Sequence, residues 1–199
     1  MYNILILGAT GVGKSTLINK LQNNKVADIG YGASPKTSYL DSYSLTEQIT
    51  IWDTPGLGEG IKEDEKNKKK LKKILNKKDF IDLILIVIDV NNKAIDTTSE
   101  LINFILETNE YYRNNFIFIL NKVDEAKNFR YWKNRLRRPS KIQQLYINKT
   151  IEDVSKRIEE NTKIKIKTFL NCSADEDYNI KTISNEIYSY ILNKHIKGR

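Results

Sequence analysis

The fold is decided by a glycine-rich stretch that reads Gly8-Ala9-Thr10-Gly11-Val12-Gly13-Lys14-Ser15-Thr16. The apolar run at residues 4–7 precedes it and predicts a short buried strand, and residues 17–21 follow with apolar side chains at helical spacing. A G-x-x-x-x-G-K-[ST] pattern between a strand and a helix is typical of the phosphate-binding P-loop. We therefore expect phosphate binding here rather than a glycine-rich structural turn.

Each residue type in this loop has a physical task. The glycines let the main chain turn tightly and approach a ligand without a side chain in the way. Main-chain N–H groups and the helix N-terminus form a concave anion site, Lys14 can reach the outer phosphates, and the Ser15 hydroxyl can bind Mg²⁺. The residues predicted to bind nucleotide here are Gly11, Val12, Gly13, Lys14, Ser15 and Thr16.

Composition restricts the protein class. A chain of 199 residues with 40% hydrophobic and 29% charged residues has room for one good-sized core. No apolar run approaches the ~20 residues that span a bilayer, and the first one is too short for a signal peptide. A single cysteine, Cys172, precludes an intramolecular disulfide and fits a reducing compartment, so we expect a cytoplasmic protein. The lone His195 leaves no zinc-ligand cluster.

The net charge of +8 has two readings: a polyanionic partner, or a general excess of lysine, asparagine and isoleucine. Residues 129–138 interleave basic and aromatic side chains, a pattern that suits RNA. The alternative is a loop that Tyr131 and Trp132 anchor on the protein. The lysine run at residues 66–73 is either a solvated helix face or a surface for an acidic partner in one nucleotide state.

Apolar periodicity predicts alternating strands and helices along the whole chain. Strands are expected at residues 4–7, 39–45, 49–52, 81–90, 116–120 and 164–170, and helices at residues 17–21, 61–78, 97–111, 142–160 and 178–196. Thr97, Thr98 or Ser99 can cap the third helix. This alternation predicts an α/β fold with a mostly parallel sheet and helices on both faces. We expect a single domain over residues 1–199, with a basic and aromatic insertion around residues 127–160.

Polar residues follow several of these strands, where a doubly wound sheet gathers its ligand groups. Asp53 ends a strand and is suited to hold Mg²⁺ through water, and Gly56 offers an unobstructed N–H to a γ-phosphate. An ordinary turn explains Asp53-Thr54-Pro55-Gly56 less well once a P-loop and a strand precede it.

Asn121-Lys122-Val123-Asp124 has chemistry that singles out guanine. The Asp124 carboxylate can accept from the N1–H and N2–H₂ donors of that base. Adenine lacks this donor pair and would leave the charge unpaired, at a cost of ~1–3 kcal/mol. Asn121 can tie the base-binding loops together, and the stem of Lys122 can lie over the purine. Ser173 and Ala174 complete the predicted pocket, with the N–H of Ala174 directed at the guanine O6. Asp124 can also serve as a helix cap.

These four stretches, in this order, resemble the G1, G3, G4 and G5 motifs of the Ras-like P-loop GTPases. Within that group the P-loop and Trp52-Asp53-Thr54-Pro55-Gly56-Leu57-Gly58 resemble the Era/septin-like branch, close to Era-like 50S ribosome-binding GTPases and immunity-related GTPases. The resemblance implies a three-layer P-loop NTPase fold with a six-stranded, mostly parallel sheet. It also implies one antiparallel strand, at residues 39–45.

The resemblance further implies a threonine in the first switch loop that binds Mg²⁺ and senses the γ-phosphate. Thr37 fits best because Pro35-Lys36-Thr37 stands just before a strand, while Ser34, Ser38 and Thr46 are weaker candidates. A solvated loop hydroxyl is the alternative for Thr37. The implied metal ligands are therefore Ser15, Thr37 and Asp53, and the implied catalytic residues are Lys14, Thr37 and Gly56.

Two positions depart from the family pattern. Leu57 stands where Ras-like proteins carry a glutamine that orients the attacking water, and Gly11 stands where several relatives carry an asparagine that recruits K⁺. The resemblance therefore implies a GTP/GDP switch that uses Mg²⁺ and hydrolyses GTP slowly. Three alternatives remain: an RNA- or ribosome-associated module, a self-assembling or membrane-surface GTPase that forms nucleotide-dependent homodimers, and an ATP-using enzyme, which the Asp124 motif disfavours.

Overall fold

The computed structural model describes residues 1–23, 41–54, 61–91 and 93–197. The strands are β1 (Tyr2–Leu7), β2 (Asp41–Thr46), β3 (Ile49–Asp53), β4 (Leu83–Asp89), β5 (Phe116–Asn121), β6 (Trp132–Lys133), β7 (Arg138–Pro139) and β8 (Phe169–Asn171). The α-helices are α1 (Lys14–Asn23), α2 (Ile61–Leu75), α3 (Ile95–Thr108), α4 (Lys141–Thr162) and α5 (Ile180–Lys197).

Six of the strands form one sheet with the order β2-β3-β1-β4-β5-β8, and β6 pairs with β7 in a separate two-stranded ribbon. Within the large sheet β2 runs antiparallel to β3, and the other neighbouring pairs are parallel. The prediction of a mostly parallel six-stranded sheet with one antiparallel strand is confirmed. The carboxyl ends of the five parallel strands therefore meet at one edge, where Lys14, Asp53 and Asn121 lie.

Apolar residues on both faces of the central strands explain the three layers. In β1, Leu5 and Leu7 pack on the side of α2, α3 and α4, whereas Ile4 and Ile6 pack on the side of α1 and α5. The strand β4 is buried along its whole length and divides its side chains in the same way. Because neither face of these strands contacts water, they read in sequence as continuous apolar runs.

The strand predicted at residues 164–170 is wrong over most of its length, because β8 begins only at Phe169. Phe118 of β5 pairs with Phe169, and the preceding segment has partners outside the sheet. The N–H of Ile166 donates to Glu159 Oε1 at 2.7 Å, and Lys167 Nζ donates to Asn114 Oδ1 at 2.9 Å. The isoleucines and lysines alternate as in a strand, but the side chains of Glu159 and Asn114 hold this segment in place of strand pairing.

The helix predicted at residues 97–111 begins earlier and ends earlier. The helix α3 starts at Ile95, and its N-cap residue Ala94 makes no side-chain capping bond. The expected caps are wrong because the buried Ile95 anchors two additional N-terminal residues of the helix, which places Thr98 and Ser99 inside it. After α3 a short 3₁₀ helix spans Glu110–Asn114. The helix α2 likewise ends at Leu75, three residues before the predicted end.

Candidate functional site

The P-loop, residues 8–16, lies between β1 and α1 and touches Asn121 of the predicted base-recognition motif, residues 121–124. Gly13 has a φ of +92°, and a Cβ at this position would lie 2.4 Å from Asn121 Nδ2. A Cβ at Gly8 would lie 2.4 Å from the main-chain oxygen of Val87. Both glycines are therefore required by packing as well as by the turn that they make.

Lys14 and Ser15 occupy the first turn of α1. Lys14 is buried, and its Nζ donates to the main-chain oxygens of Gly8 at 3.0 Å and Ala9 at 3.2 Å. This places the ammonium group over the loop whose N–H groups are predicted to hold phosphate. Val12 is buried below the loop, whereas Thr16 is half-buried on α1.

Asp53 lies at the end of β3, next to Ser15. The Ser15 hydroxyl donates to Asp53 Oδ2 at 3.0 Å, and Asp53 Oδ1 is buried without a hydrogen-bond partner among the described residues. Burial raises the pKa of Asp53, although the Ser15 hydrogen bond and the charge of Lys14 act in the opposite direction. A buried carboxylate oxygen beside a hydroxyl is a donor set that suits Mg²⁺.

Thr54 was not among the predicted site residues, and its side chain fixes the main chain directly after Asp53. Its hydroxyl donates to the main-chain oxygen of Ile6 at 3.0 Å in a buried position. This bond ties the residue after Asp53 to the adjacent strand β1 and so holds the Asp53 main chain close to the P-loop. A threonine between a strand-end aspartate and a proline was the available signal.

Asn121 joins three loops. Its Nδ2 donates to the main-chain oxygen of Val12 at 2.9 Å, and its Oδ1 accepts from the N–H of Ala174 at 3.1 Å and from Cys172 Sγ at 3.3 Å. The side chain is buried. One side-chain amide therefore connects the P-loop, the loop of residues 121–124 and the loop after β8. The Ala174 N–H is engaged by Asn121, and its role toward guanine stays a prediction.

Lys122 is held in an uncommon conformation by a partner on the neighbouring strand. Its φ is 60°, in the left-handed region, where a residue with a side chain costs ~1–3 kcal/mol. Its Nζ forms an ion pair with Asp89 Oδ2 at 2.9 Å. Burial acts to lower the pKa of Lys122, but the bond to Asp89 and nearby carboxylates outweigh it, and the pKa is raised. Asp89 was missed in the sequence, although it ends β4 at the functional edge of the sheet.

Asp124 is buried, and its Oδ1 has no hydrogen-bond partner within the described part of the chain. A buried unpaired carboxylate oxygen is costly, because the group loses its hydration without compensation. The alternative in which Asp124 caps a helix is excluded, because the 3₁₀ helix Asn134–Leu136 follows Lys133 and the next α-helix, α4, is capped by Ser140. A hydrogen-bond donor of a bound ligand would satisfy this oxygen.

The loop after β8 is braced by hydrogen bonds within it and by ion pairs with neighbouring elements. Ser173 is buried, exchanges main-chain hydrogen bonds with Tyr178, and accepts the N–H of Glu176 on its Oγ at 3.2 Å. Asp177 in the same loop forms ion pairs with Lys20 of α1 and with Arg137. The predicted base-binding residues Ser173 and Ala174 therefore stand on a braced turn next to Asn121.

The ribbon β6–β7 packs on this turn. Trp132 is buried and meets Tyr178 edge to face, with ring centroids 5.5 Å apart, and the Tyr178 hydroxyl donates to Gln144 Oε1 at 3.4 Å. Tyr131 is half-buried, with the Arg130 guanidinium 5.4 Å from its ring centroid. These contacts favour the interpretation of the aromatic residues as anchors of the insertion.

Several predicted site residues lie outside the described residues: Thr37, Gly56, Leu57, Ser34 and Ser38. Of the weaker alternatives to Thr37, only Thr46 is described. It lies at the β2–β3 turn and accepts the N–H of Gln48, whereas Asp53 ends β3 at the opposite end of the hairpin. Thr46 is therefore too far along the hairpin to share a metal with Ser15 and Asp53.

Among the described residues, histidine, cysteine, aspartate and glutamate side chains form no group of three or more that could hold a metal ion. None of the helices over that part of the chain is long and apolar enough to cross a membrane.

Comparison with proteins of known sequence identifies relatives that match 61% to 62% of the chain. The probable GTP-binding protein EngB of Prosthecochloris aestuarii is 25% identical over 127 residues, which cover 62% of this chain and 64% of EngB. GTPase Der of Borreliella afzelii is 32% identical over 61% of this chain and 27% of Der. The tRNA modification GTPase MnmE of Pelagibacter ubique is 34% identical over 62% of this chain and 26% of MnmE. The chain thus spans less than two thirds of these relatives.

Solved structures extend the similarity of fold to nearly the whole chain. A probable GTP-binding protein EngB superposes with a TM-score of 0.61 at 20% identity and covers 96% of this chain and 99% of its own. Toc33 from Arabidopsis thaliana superposes with a TM-score of 0.67 at 19% identity, over 96% of this chain and 84% of Toc33. At these identities the likeness concerns the fold.

The model of the family described as 50S ribosome-binding GTPase matches residues 3–122, more than half of the chain. That range runs from β1 to Lys122 and includes the P-loop, Asp53 and Asn121, whereas Asp124, Ser173 and Ala174 lie beyond it. The chain belongs to this GTPase family.

Proposed function

We propose that the chain binds GTP and GDP, hydrolyses GTP to GDP and phosphate, and acts as a nucleotide-dependent switch in the cytoplasm. We further propose that residues 1–199 form one GTPase domain with a basic and aromatic insertion. The observation that carries the proposal is the junction at Asn121, which joins the P-loop to the base-recognition loops. Beside it Asp124 presents a buried, unpartnered carboxylate oxygen.

The nucleotide contacts follow from this arrangement. Lys14 and the N–H groups of residues 11–16 would hold the phosphates, because they form a positively polarised concave site at a helix N-terminus. Asp124 would accept from the guanine edge, Lys122 would cover the purine face, and Ser173 and Ala174 would close the pocket. The Lys122–Asp89 ion pair supports this by fixing the lysine stem.

Magnesium fits the residues at the phosphate end. Ser15 and Asp53 would hold it, and Thr37 would complete the set from the first switch loop. When bound, the ion neutralises charge that develops on the phosphates during transfer. Asp53 contributes a buried carboxylate, Ser15 positions it, and Gly56 would donate its N–H to the γ-phosphate.

Leu57 replaces the residue that would orient water, so we expect slow hydrolysis by the isolated protein. A second copy of the chain in a nucleotide-dependent homodimer could supply the missing group. The test is a single-turnover GTPase assay over a range of protein concentrations. A slow rate that rises with concentration supports assembly, and a fast rate independent of concentration contradicts it. No GTP hydrolysis at any concentration, with Mg²⁺ present, would contradict the enzyme assignment.

An association with RNA or the ribosome is the second candidate, and one observation favours it. Residues 127–149 carry eight lysines and arginines and no acidic residue, and all eight are exposed. Because Trp132 and Tyr131 are engaged by the protein, we expect phosphate contacts rather than base stacking. Neutralising Arg135, Arg137 and Arg138 together should lower RNA affinity and its salt dependence, as measured by titration at several salt concentrations. A salt slope identical to that of the wild type would exclude this surface.

A further inference from the structure

We propose that Gln143 is a positioning residue for guanine discrimination. Its amide holds the main chain of residues 123–126 so that the Asp124 carboxylate faces the base. The inference rests on the proposed binding of guanine nucleotides and assigns a role to a residue beyond the recognised motifs. Gln143 belongs to the first turn of α4, directly after the ribbon β6–β7.

The contacts of Gln143 are concentrated on one loop. The side chain is fully buried, and its Nε2 donates to the main-chain oxygen of Val123 at 2.8 Å. The same nitrogen lies 3.3 Å from the oxygen of Asp124 and 3.4 Å from that of Ala126. Three carbonyl oxygens around one group can be served only by the NH₂ end of the amide, which determines its orientation.

The acceptor end of the same amide, Oε1, is left unsatisfied within the described part of the chain. It is buried and has no hydrogen-bond partner among the described residues. A buried glutamine that satisfies only its donor end is costly to keep in a core of this kind. An apolar side chain at this position of α4 would avoid that cost. We therefore attribute the presence of a glutamine to the hydrogen bonds that its NH₂ group donates to the loop carbonyls.

Asp124 depends on this support. Its Oδ1 has no partner in the described part of the protein, so no side-chain bond to that oxygen fixes the direction of the carboxylate. The direction follows from the main chain, which turns sharply after Lys122 at a φ of 60°. Without Gln143, the carbonyl of Asp124 would lose its donor, and that of Val123 would keep, among the described residues, only the 3.4 Å bond from the N–H of Ala126. The turn would then be free to rotate the carboxylate away from the base.

Gln143 is itself held from both sides. The Ser140 hydroxyl accepts the main-chain N–H of Gln143 at 3.2 Å and caps α4, and the N–H of Ser140 donates to the oxygen of Tyr131 at 3.0 Å. The ribbon that precedes it packs on Tyr178 through Trp132. The insertion thus connects the loop of Asp124 with the loop of Ser173, and Gln143 is the contact that reaches the Asp124 loop.

The test compares affinities for GDP and IDP, because IDP lacks only the 2-amino group that Asp124 is proposed to bind. The phosphate contacts cancel in the ratio of the two dissociation constants. In Gln143→Met, which keeps the length and removes the donor, we expect the preference for GDP over IDP to fall about tenfold. Thr150→Val is the matched control, since Thr150 is buried two turns further along the same face of α4 and should leave the ratio unchanged.

A second variant separates positioning from packing. In Gln143→Glu the buried carboxyl would be ionised at high pH and repelled by the carbonyls, whereas the protonated form again has an O–H donor. The preference for GDP should therefore recover as the pH falls from about 8 to about 6, while the wild-type preference stays flat. This measurement also decides the matter if Gln143→Met does not fold.

The outcomes are distinct. If the ratio of the GDP and IDP dissociation constants in Gln143→Met equals that of the wild type, whether or not both affinities fall, Gln143 has no positioning role. The same conclusion follows if the Gln143→Glu ratio does not change with pH. If the wild type itself shows no preference for GDP over IDP and none over ADP, the proposed function fails, and the inference fails with it.

Discussion

The phosphate end and the base end of the site are built in different ways. At the phosphate end, Lys14 bonds the oxygens of Gly8 and Ala9 within one short stretch of sequence. At the base end, Asn121 bonds Val12 across 109 residues and Ala174 across 53 residues. Local sequence determines the first, and tertiary packing determines the second. A phosphate-binding loop can therefore be recognised from a short motif, whereas base discrimination depends on residues that are far apart in the sequence.

The largest expected effect comes from breaking the junction between the two ends. Gly13→Ala would place a Cβ 2.4 Å from Asn121 Nδ2, so the hydrogen bond from Asn121 to Val12 must be lost. The alanine would also be strained at the φ of +92°, which glycine adopts without strain. We expect GDP affinity to fall about 100-fold, from the lost buried hydrogen bond and the left-handed φ combined. Isothermal titration with GDP measures this.

Gly11→Ala is the matched control for that variant. Gly11 also has a positive φ, +80°, but no atom lies within 4 Å of a Cβ built there. Its cost should be the conformational strain alone, about 1–2 kcal/mol of unfolding free energy. If Gly11→Ala weakened GDP binding as much as Gly13→Ala, contact with Asn121 would not be what makes Gly13 necessary.

A smaller effect is expected at the phosphate end alone, where Asp53→Asn removes the buried charge and keeps an acceptor for Ser15. The pKa of Asp53 is raised in the folded protein, so its contribution to stability is present at low pH and is lost as the pH rises through the folded-state pKa. The substitution should therefore stabilise the nucleotide-free protein more above the folded-state pKa of Asp53 than below it, in thermal melts with EDTA over a series of pH values.

The same variant should weaken the Mg²⁺-dependent part of GDP binding roughly tenfold, because one carboxylate ligand is lost. GDP affinity measured in EDTA should change little, which separates the metal site from the P-loop. A variant with the full Mg²⁺ response of the wild type would show that Asp53 takes no part in holding the ion.

The sequence was sufficient for the layers of the fold because the strands are continuous apolar runs. The run at residues 81–90 became β4, and the motifs after Leu7, Trp52 and Leu120 marked the carboxyl edge correctly. Where a segment owes its position to side-chain partners, periodicity was misleading. Residues 164–168 alternate like an edge strand but are held by Glu159 and Asn114.

The site could be predicted only where it is contiguous. Lys14, Ser15, Asp53, Asn121 and Asp124 stand in motifs, and the structure brings them to one edge. The supporting contacts of Asp89, Thr54 and Gln143 could not be found in this way, since each depends on which strand or helix lies beside the motif. Gln143 in particular looks in sequence like an ordinary polar residue of an amphipathic helix.

The central claim is that Asp124 reads the guanine edge, and the most direct measurement is the relative affinity for GTP, ATP and XTP in the wild type and in Asp124→Asn. The wild type should prefer GTP over ATP by about 100-fold. The variant should lose that preference and gain affinity for XTP, because the amide can donate to the carbonyl that xanthine carries in place of the 2-amino group. An unchanged preference for GTP in Asp124→Asn would contradict the account.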